Sequence, residues 1–530
     1  MTKLFAIAVG LFLTGHASAN EPNRIELAAL YSGSTTPEVT VTLDGKCDDL
    51  SGRSIKLPSS WAGDARLADS LIPIRYQSCL EGAETLTYAA RIGFQDSKGG
   101  TLISRPMAGD GWSFLFGNSI LPIISKKDAS YRLSVISDGS QIATNFGSSN
   151  NRLGHAFFDG NDLKDTFFFF GPKVQVVTYN VRGVDITFSY VQGEANEAFI
   201  IDLRERYEFI LGKFDEHRPS QLFVALVPTK EDDWGPFFQG TALPNGVAFH
   251  TSALDPELWN HEITHEIIHE WLPLRMGGVK LGSDYSERYV FTEGYTEYLA
   301  HKFNLEMGRE TLPEFLGAIN AAFVAKEFSD SRLLDDPYGM GLLHAFVTDL
   351  NLRFHGSDSL FRTLKSLVHL PSGSRHQELD AFDQLQDKLR MGGISPITLA
   401  EIGDVPLSLN YSDLCIKPAV LQMYSYELGF DFDVHPDGTY QVKNVNVLSR
   451  AYRAGVRDGM TIIERIGGDV DDMNSLATFR VTVSGAESAL SFYPKSLSSK
   501  PVMQFLYDSS DAAIESCTIG FASFLAGDNH

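Results

Sequence analysis

The sequence predicts a multidomain α+β protein, and three features of its 530 residues support this fold class. Residues 20–171 show short apolar or alternating runs broken by Gly, Asn, Asp and Ser, which is the pattern of an all-β region. Residues 172–409 begin with strand-like runs and continue as helices, as in an α+β domain. The β pattern returns at residues 410–530. A chain of this length also favours about two to four domains.

Residues 1–19 have the pattern of a signal peptide. Lys3 supplies the positive charge, an apolar run follows at residues 4–13, and Ala17-Ser18-Ala19 forms a small-residue cleavage site. The apolar run is too short to span a bilayer. We therefore expect an exported chain, periplasmic or secreted, whose mature form is soluble, lacks a membrane span and starts near Asn20.

The middle region carries the clearest secondary-structure signals. Strands are expected at residues 174–179, 184–191 and 221–227, and a helix lies between the last two at residues 194–214. Apolar residues at helical spacing then predict five further helices, at residues 261–271, 288–304, 312–328, 342–354 and 378–389.

The charge of the chain excludes some classes of partner. Its 44 Lys and Arg residues against 67 Asp and Glu residues give a formal net charge of −23. Binding to nucleic acid phosphates needs basic patches, so a nucleic-acid-binding protein is not expected. The same charge argues against docking on anionic membrane surfaces.

The residues that carry chemistry are concentrated at positions 261–271, HEITHEIIHEW, which contain two overlapping H-E-x-x-H motifs. Residues four apart share one face of a helix, so either pair of imidazoles can bind one Zn²⁺. The Glu that follows the first His is then placed to act as general base on a water molecule. A polar helix face is the alternative reading of this stretch.

A third ligand would complete a catalytic zinc site. Glu293, in the sequence FTEGYTEY at positions 291–298, lies on the next expected helix and gives a two-His, one-Glu set with an open fourth position. Glu297 lies one helical turn further. It could accept a hydrogen bond from a ligand imidazole, or it could be a solvated charge on the helix surface.

His265 is a ligand whichever motif is used, and a family resemblance favours His265, Glu266 and His269. The pattern H-E-x-x-H-x-W at positions 265–271, followed by TEGYT at positions 292–296, resembles the PDZ-bearing glycyl aminopeptidase family of gluzincin zinc peptidases. The resemblance implies one Zn²⁺ per chain, bound by His265, His269 and Glu293, with Glu266 as general base. His261 then lies one turn before the site, with an outer or a purely structural role.

Two further stretches extend the resemblance. Tyr338-Gly339-Met340-Gly341 resembles the family's Tyr-x-x-Gly segment, in which the tyrosine hydroxyl stabilises the oxyanion; packing of a loop aromatic is the alternative role for Tyr338. ELGF at positions 427–430 and AYRAGVRDGMTIIERIGG at positions 451–468 resemble a PDZ domain. Such a domain binds a peptide C-terminus by strand addition, unless it only packs against the catalytic domain.

The resemblance implies an N-terminal β-sandwich-like domain at residues 20–171, a thermolysin-like catalytic domain at 172–409 and a PDZ-containing domain at 410–530. The expected function is zinc-dependent hydrolysis of peptide bonds in peptide or protein substrates. The alternative is a peptide-binding pseudo-peptidase that acts through its PDZ domain, although its ligands and base are intact in the sequence. A metal-dependent hydrolase of non-peptide esters is a third possibility without a feature of its own.

Four cysteines in an exported chain suggest disulfides. Three pairings are possible, and their separation along the sequence favours Cys47–Cys79 and Cys415–Cys517. Free buried thiols are the alternative.

The sequence departs from its relatives in one respect. Aminopeptidases of this type carry a G-G-L-E-H-like segment whose Glu pairs with the substrate's α-amino group. Here the corresponding residues, 240–246, read GTALPNG, with Pro244 where the carboxylate would fall, and a following edge strand is expected at residues 247–251. Glu231, Asp232 and Asp233 could substitute, or form a solvated turn. We therefore expect strict aminopeptidase activity to be weakened or lost, and internal bonds of peptides to be accepted.

Overall fold

The computed structural model describes strand segments between residues 25 and 160 and most of residues 166–527. The described segments before residue 161 are 25–30, 38–44, 55–56, 65–67, 70–71, 85–91, 107–117, 123–124, 131–136, 142–145, 147–149 and 155–160. The gaps within 166–527 are 195–196, 215–218, 230–237, 254, 273, 276–288, 329–335, 356–358, 369–380, 392, 394, 399–400, 412–413, 436–438, 469–473, 484 and 508–509. The expected signal peptide, Cys47 and Cys79 lie outside the described residues.

The chain forms two compact units. The first comprises Met1–Val177, Thr187–Glu194 and Phe223–Val227, and the second comprises Thr178–Ile186, Ala195–Leu222 and Pro228–His530. All the side chains predicted for the metal site belong to the second unit.

The region before residue 171 is built from strands, as the alternating pattern predicted. The strands among its described residues are β1 (Ile25–Leu30), β2 (Glu38–Asp44), β3 (Ile55–Lys56), β4 (Ala65–Leu67), β5 (Ser70–Leu71), β6 (Thr85–Arg91), β7 (Met107–Gly109), β8 (Trp112–Phe116), β9 (Ile123–Ile124), β10 (Tyr131–Ile136), β11 (Ile142–Thr144), β12 (Gly147–Ser149), β13 (His155–Gly160) and β14 (Phe167–Phe170). They form a seven-stranded sheet of order β13-β10-β1-β2-β6-β4-β5, a five-stranded sheet of order β12-β11-β14-β8-β7, and the pair β3-β9.

The five-stranded sheet has an aromatic centre. The four phenylalanines of β14 are fully buried and pair antiparallel with β8, whose residues are also buried. A run that is apolar on every position, unlike an alternating run, is expected where both faces of a strand are covered. The packing of the two sheets as a sandwich remains a prediction.

A third sheet follows, with the order β15-β16-β17-β19-β18. Its strands are β15 (Val174–Val181), β16 (Val184–Val191), β17 (Gln221–Pro228), β18 (Phe238–Leu243) and β19 (Gly246–Thr251). The expectation of an edge strand at residues 247–251 is wrong, because β19 lies inside the sheet and β18 forms its edge. The sequence does not predict β18, because that strand is polar and contains glycine. Burial of all six residues of β19 marks an internal strand.

Helices make up most of the remaining middle region, close to their predicted positions. They are α1 (Glu197–Lys213), α2 (Pro256–Ile268), α3 (Tyr295–Glu306), α4 (Leu312–Phe328), α5 (Pro337–Phe354), α6 (Leu360–Lys365), α7 (Ala381–Met391) and α8 (Val405–Ser408), with a π-helical turn at Val290–Gly294 and a 3₁₀ turn at Glu401–Gly403. No described helix is long and apolar enough to cross a membrane.

A buried arginine holds the metal-site helix against its neighbours. Arg206 on α1 donates hydrogen bonds from Nη1 to the backbone oxygen of Asn260 (2.7 Å) and to Thr264 Oγ1 (2.8 Å), both on α2. It also donates to Asn304 Oδ1 on α3 (2.7 Å). Its ion pair with Asp202 supplies the opposite charge that a buried guanidinium needs. These bonds fix α2 against α1 and α3.

Two strands and a terminal helix attach the C-terminal region to these helices. They are β20 (Ile416–Met423), which pairs antiparallel with β26 (Lys500–Tyr507), and α10 (Asp511–Ala526). Asn320 of α4 exchanges two hydrogen bonds with the backbone of Phe505 on β26, at 2.7 and 3.0 Å. The predicted Cys415–Cys517 disulfide is confirmed, with its Cα atoms 5.6 Å apart, and it ties the start of β20 to α10.

Between β20 and β26 lies a five-stranded antiparallel meander. Its elements are β21 (Asp431–Val434), β22 (Tyr440–Lys443), α9 (Arg450–Arg453), β23 (Thr461–Gly467), β24 (Ala477–Val483) and β25 (Ala486–Phe492), with the strands in sequence order. The helix-turn-strand predicted within residues 451–468 is present as α9 and β23. A PDZ domain is not confirmed: within the described part of residues 424–499, the four-residue α9 is the only helix, and the hairpin β24-β25 follows β23.

Candidate metal centre and cleft

The last turns of α2 bring His265 and His269 together. Both side chains are buried, and their Nε2 atoms lie 3.1 Å apart. His269 follows the last residue of the helix, but the i,i+4 relation that the sequence predicted is kept. The chain then turns, and the Nδ1 atom of His269 is bound to the backbone oxygen of Leu272 at 2.8 Å.

Glu293 completes this set from the π-helical turn that precedes α3. Its Oε2 atom lies 3.5 Å from His265 Nε2 and 3.2 Å from His269 Nε2. Ligand atoms about 2.0–2.1 Å from a tetrahedral zinc ion would lie about 3.3 Å from one another, which agrees with these separations. An extra residue in a helical turn is common at functional sites, and here it falls on Glu293.

The protonation of the two imidazoles shows why a cation fits between them. His265 Nδ1 lies 2.8 Å from Glu297 Oε2, and His269 Nδ1 faces the Leu272 carbonyl, so each Nδ1 has an acceptor for its hydrogen. In the neutral imidazoles both Nε2 atoms then carry lone pairs directed into the same space. The three residues therefore fit a zinc ion by spacing, by donor type and by tautomer. Glu297 supports His265 as the sequence predicted.

Glu297 also contacts two further histidines, His261, for which the sequence predicted an outer or structural role, and His301, which it did not assign. Its Oε2 atom is 3.0 Å from His261 Nε2, and its Oε1 atom is 3.6 Å from His301 Nε2. His301 in turn contacts Glu310 Oε1 at 2.8 Å through Nδ1. Burial alone would raise the pKa of Glu297, but the charge and hydrogen bonds of the surrounding imidazoles hold it well below its usual range. Spacing of four on α3 could have indicated His301, whereas Glu310 comes from the following turn.

Glu266 occupies the position expected of a base. Its carboxylate is buried, and its Oε2 atom has no hydrogen-bond partner among the described residues. Burial, assisted by the nearby charge of Glu262, raises the pKa of Glu266 to about 7. Gly240 of β18 lies against this side chain: a Cβ atom there would come within 2.1 Å of Glu266 Cγ. The absence of a side chain at Gly240 thus lets the edge strand β18 approach α2 at Glu266.

Glu262, one turn earlier on α2, contacts the same strand. Its Oε1 atom accepts a hydrogen bond from the backbone N–H of Gly240 at 2.8 Å. In the alternative register of the overlapping motifs Glu262 would be the base, but this bond directs it to the strand. The side chain is partly exposed.

Tyr338 reaches the site from the first turn of α5. Asp336 caps this helix by accepting the N–H of Gly339 at 2.9 Å, and Pro337 at the first helical position fixes its start. The ring of Tyr338 stacks on His265 with centroids 5.9 Å apart, yet 46% of the residue is exposed, so it lines the open side of the site. Burial, with the negative charges of Glu293 and Glu266, raises the pKa of Tyr338, which keeps its hydroxyl protonated.

Two glycines explain why Tyr338 and Glu293 meet. A Cβ atom on Gly294 would lie 2.2 Å from Gly341 Cα, and one on Gly341 would lie 2.1 Å from the backbone oxygen of Val290. The π-helical turn and α5 therefore touch backbone to backbone, which larger residues would prevent. The glycine of the Tyr-x-x-Gly segment has this packing role, which the sequence alone did not indicate.

The segment expected to bear an amine-binding acid contains none. Residues 240–243 belong to β18, Pro244 and Asn245 form the turn, and Asn245 has a φ of 58°. The turn joins β18 to β19 with Leu243 opposite Gly246. The possible substitutes Glu231, Asp232 and Asp233 lie outside the described residues.

Comparison with known proteins identifies the fold. No family model matches the chain, and no curated protein matches it. Among solved structures it is similar to the aminopeptidase N family protein from Idiomarina loihiensis, with 15% identity, a TM-score of 0.61, and coverage of 95% of this chain and 99% of that one. An M1 zinc metallopeptidase from Deinococcus radiodurans matches with 15% identity and a TM-score of 0.40, over 71% of this chain and 95% of that one.

Neither of these two proteins is described as a PDZ-bearing glycyl aminopeptidase, so that finer resemblance stays a prediction. The likeness to the Idiomarina loihiensis protein extends over nearly the whole of both chains. The chain therefore has the mixed α+β multidomain fold of that protein.

Proposed function

We propose that this protein is a zinc-dependent peptidase of the gluzincin type. The observation that carries the proposal is the convergence of His265 Nε2, His269 Nε2 and Glu293 Oε2 within 3.1–3.5 Å of one another, with both Nδ1 atoms already bonded elsewhere. These three residues would hold one zinc ion per chain. The fold shared with a protein described as an aminopeptidase N family member supports the same reaction class.

When bound, zinc would polarise the scissile carbonyl and lower the pKa of a water molecule. Glu266 takes a proton from the attacking water, since its Oε2 atom is buried beside the two histidines and has no hydrogen-bond partner among the described residues. It then passes this proton to the nitrogen of the leaving amine. Tyr338 donates its hydroxyl hydrogen to the oxyanion that develops on the carbonyl oxygen.

Pro244 stands where relatives have an amine-binding Glu, and this affects which peptides the site can accept. An α-ammonium group without a partner would be costly to bury. The described residues of the turn at Pro244 offer no carboxylate to pair with it, so they do not require a free amino terminus on the substrate. The free edge of β18 can pair with an extended peptide backbone. We infer that internal bonds of peptides are accepted.

We expect a peptide and its N-acetylated twin to be cleaved at similar rates by the zinc-loaded protein. Mass spectrometry of the products identifies the bonds that are cut, and a chelator provides the matched control. Loss of residues one at a time from the free peptide, with no cleavage of the acetylated one, would establish an aminopeptidase instead. No turnover of any peptide would favour a peptide-binding pseudo-peptidase.

Replacing Tyr338 with phenylalanine is expected to lower kcat by about 10²- to 10³-fold, the usual cost of losing one oxyanion donor. The zinc content should not change, since the hydroxyl is not a ligand. Tyr493→Phe is the matched control, because Tyr493 is equally exposed, at 46%, and lies in the C-terminal meander region. Equal rates for the two variants, measured at saturating peptide, would leave Tyr338 with a packing role only.

A further inference from the structure

The cleft contains a carboxylate that the mechanism does not use. Glu262 lies one helical turn before Glu266 on the same face of α2. Among the described residues only its Oε1 atom is engaged, by the N–H of Gly240, and no Lys or Arg there forms an ion pair with it. A partly exposed carboxylate with one neutral donor still has capacity for a cationic partner.

The direction of the substrate follows from proton transfer. Glu266 must come within hydrogen-bond reach of the leaving nitrogen, so the residue that carries this nitrogen lies beside Glu266. Along α2 the ligand His269 lies on one side of Glu266, and Glu262 lies on the other, about 6 Å away along the axis. The side chain of the residue after the scissile bond therefore has Glu262 within its reach.

The contact of Glu262 with the edge strand β18 also places this carboxylate beside the bound peptide. The N–H of Gly240 points away from β19 and towards Glu262, so Glu262 lies at the free edge where an extended peptide would pair. The formal net charge of −23 would also attract cationic peptides over a longer range.

We propose that Glu262 makes this site selective for peptides with Lys or Arg immediately after the scissile bond. The proposal rests on the proposed peptidase function and specifies its substrate class. A lysine or arginine side chain would reach past Glu266 and form a charge-assisted hydrogen bond with the unengaged Oε2 atom of Glu262.

The test uses N-acetylated peptides that differ only in the residue after the scissile bond, which is Lys, norleucine or Glu. For the zinc-loaded wild type, kcat/KM is expected to be about 10- to 100-fold higher with Lys than with norleucine, and lowest with Glu. In Glu262→Gln the ratio of Lys to norleucine should fall to near one, and in Glu262→Lys the Glu peptide should become the preferred substrate. Gln keeps an oxygen that can accept the Gly240 N–H, and zinc content and circular dichroism verify that each variant is folded.

A binding measurement gives the same ranking without turnover. Calorimetric dissociation constants of the three peptides are expected to follow the order Lys, norleucine, Glu in the Glu266→Gln variant, and to converge when Glu262→Gln is added. Cleavage without preference, or a preference that persists in Glu262→Gln, would overturn the proposal. An effect of Glu262→Gln only on peptides with a free amino terminus would show that Glu262 binds the α-ammonium group instead. No cleavage of any peptide by the wild type would refute the proposed function itself, and this inference with it.

Discussion

Replacing Glu266 with glutamine is expected to leave zinc bound and to lower kcat by about 10²- to 10⁴-fold. Glutamine keeps the size of the side chain and its contact with Gly240, but an amide cannot accept the proton of the attacking water. Because the proposed ligand atoms belong to His265, His269 and Glu293, the metal should stay at full occupancy. Loss of turnover without loss of metal is the result that separates a base from a ligand.

The measurement combines metal analysis of the purified variant with single-turnover rates on a peptide that the wild type cleaves. Glu208→Gln is the matched control, because it makes the same change on a half-exposed side chain of α1. We expect wild-type rates for that variant. Normal turnover by Glu266→Gln would refute the mechanism, and loss of zinc would show that Glu266 holds the metal.

The sequence predicts the helices well where periodicity and end signals agree. α4 spans Leu312–Phe328, the predicted range, because its apolar positions recur at helical spacing over the full length. α5 begins five residues before the apolar run that starts at residue 342, because Asp336 and Pro337 form its N-terminal cap. The π-helical turn at Glu293 could not be foreseen, since it depends on the contact of Gly294 with Gly341.

The metal site also combines features that the sequence predicts with features that depend on tertiary packing. Spacing alone places His265 and His269 on one face of a helix, and it indicated that Glu297 could accept a hydrogen bond from a ligand imidazole. The contacts of Glu297 with His261, His265 and His301 depend on how α2 and α3 pack against each other. Spacing along the chain does not specify this packing. The role of Gly240 beside Glu266 likewise joins residues that are 26 positions apart.

The C-terminal meander shows how a local match can be right without identifying a domain. The helix-turn-strand at residues 450–467 folds as its sequence predicts, and Phe430 and Val456 contribute to its core. These features arise in many small β modules. A PDZ domain is therefore not confirmed, and among the described residues the hairpin β24-β25 follows β23.

Three sets of described side chains could hold a metal ion, and the two that include His265 compete for it. In the proposed set His265 uses Nε2, with His269 and Glu293; the other set would use Nδ1, with His261 and Glu297. In the second set Glu297 Oε2 already lies 3.0 Å from His261 Nε2 and 2.8 Å from His265 Nδ1, so this carboxylate is already engaged with both imidazoles. In the proposed set the Nε2 atoms of His265 and His269 lie next to each other, and in the neutral imidazoles neither carries a hydrogen. This arrangement favours a metal ion between them.

Single substitutions discriminate between the two sets. His269→Ala and Glu293→Ala are expected to weaken zinc binding by about 10³-fold or more, because a binding free energy of about 10–16 kcal/mol is shared among few ligands. His261→Ala should weaken it less than about tenfold, since His261 acts only through Glu297. His265→Ala should abolish binding in either case, and it therefore serves as the positive control.

Zinc affinity can be read from competition with a chelating dye and from thermal unfolding. A ligand at 100 times its Kd stabilises the folded state by about 2.7 kcal/mol, so added zinc should raise the Tm of the wild type and of His261→Ala. It should leave the Tm of His269→Ala and Glu293→Ala nearly unchanged at the same concentration. The opposite pattern, in which zinc stabilises His269→Ala but not His261→Ala, would move the metal to the His261 set. Glu262, which would then be the residue after the first ligand, would replace Glu266 as the expected base.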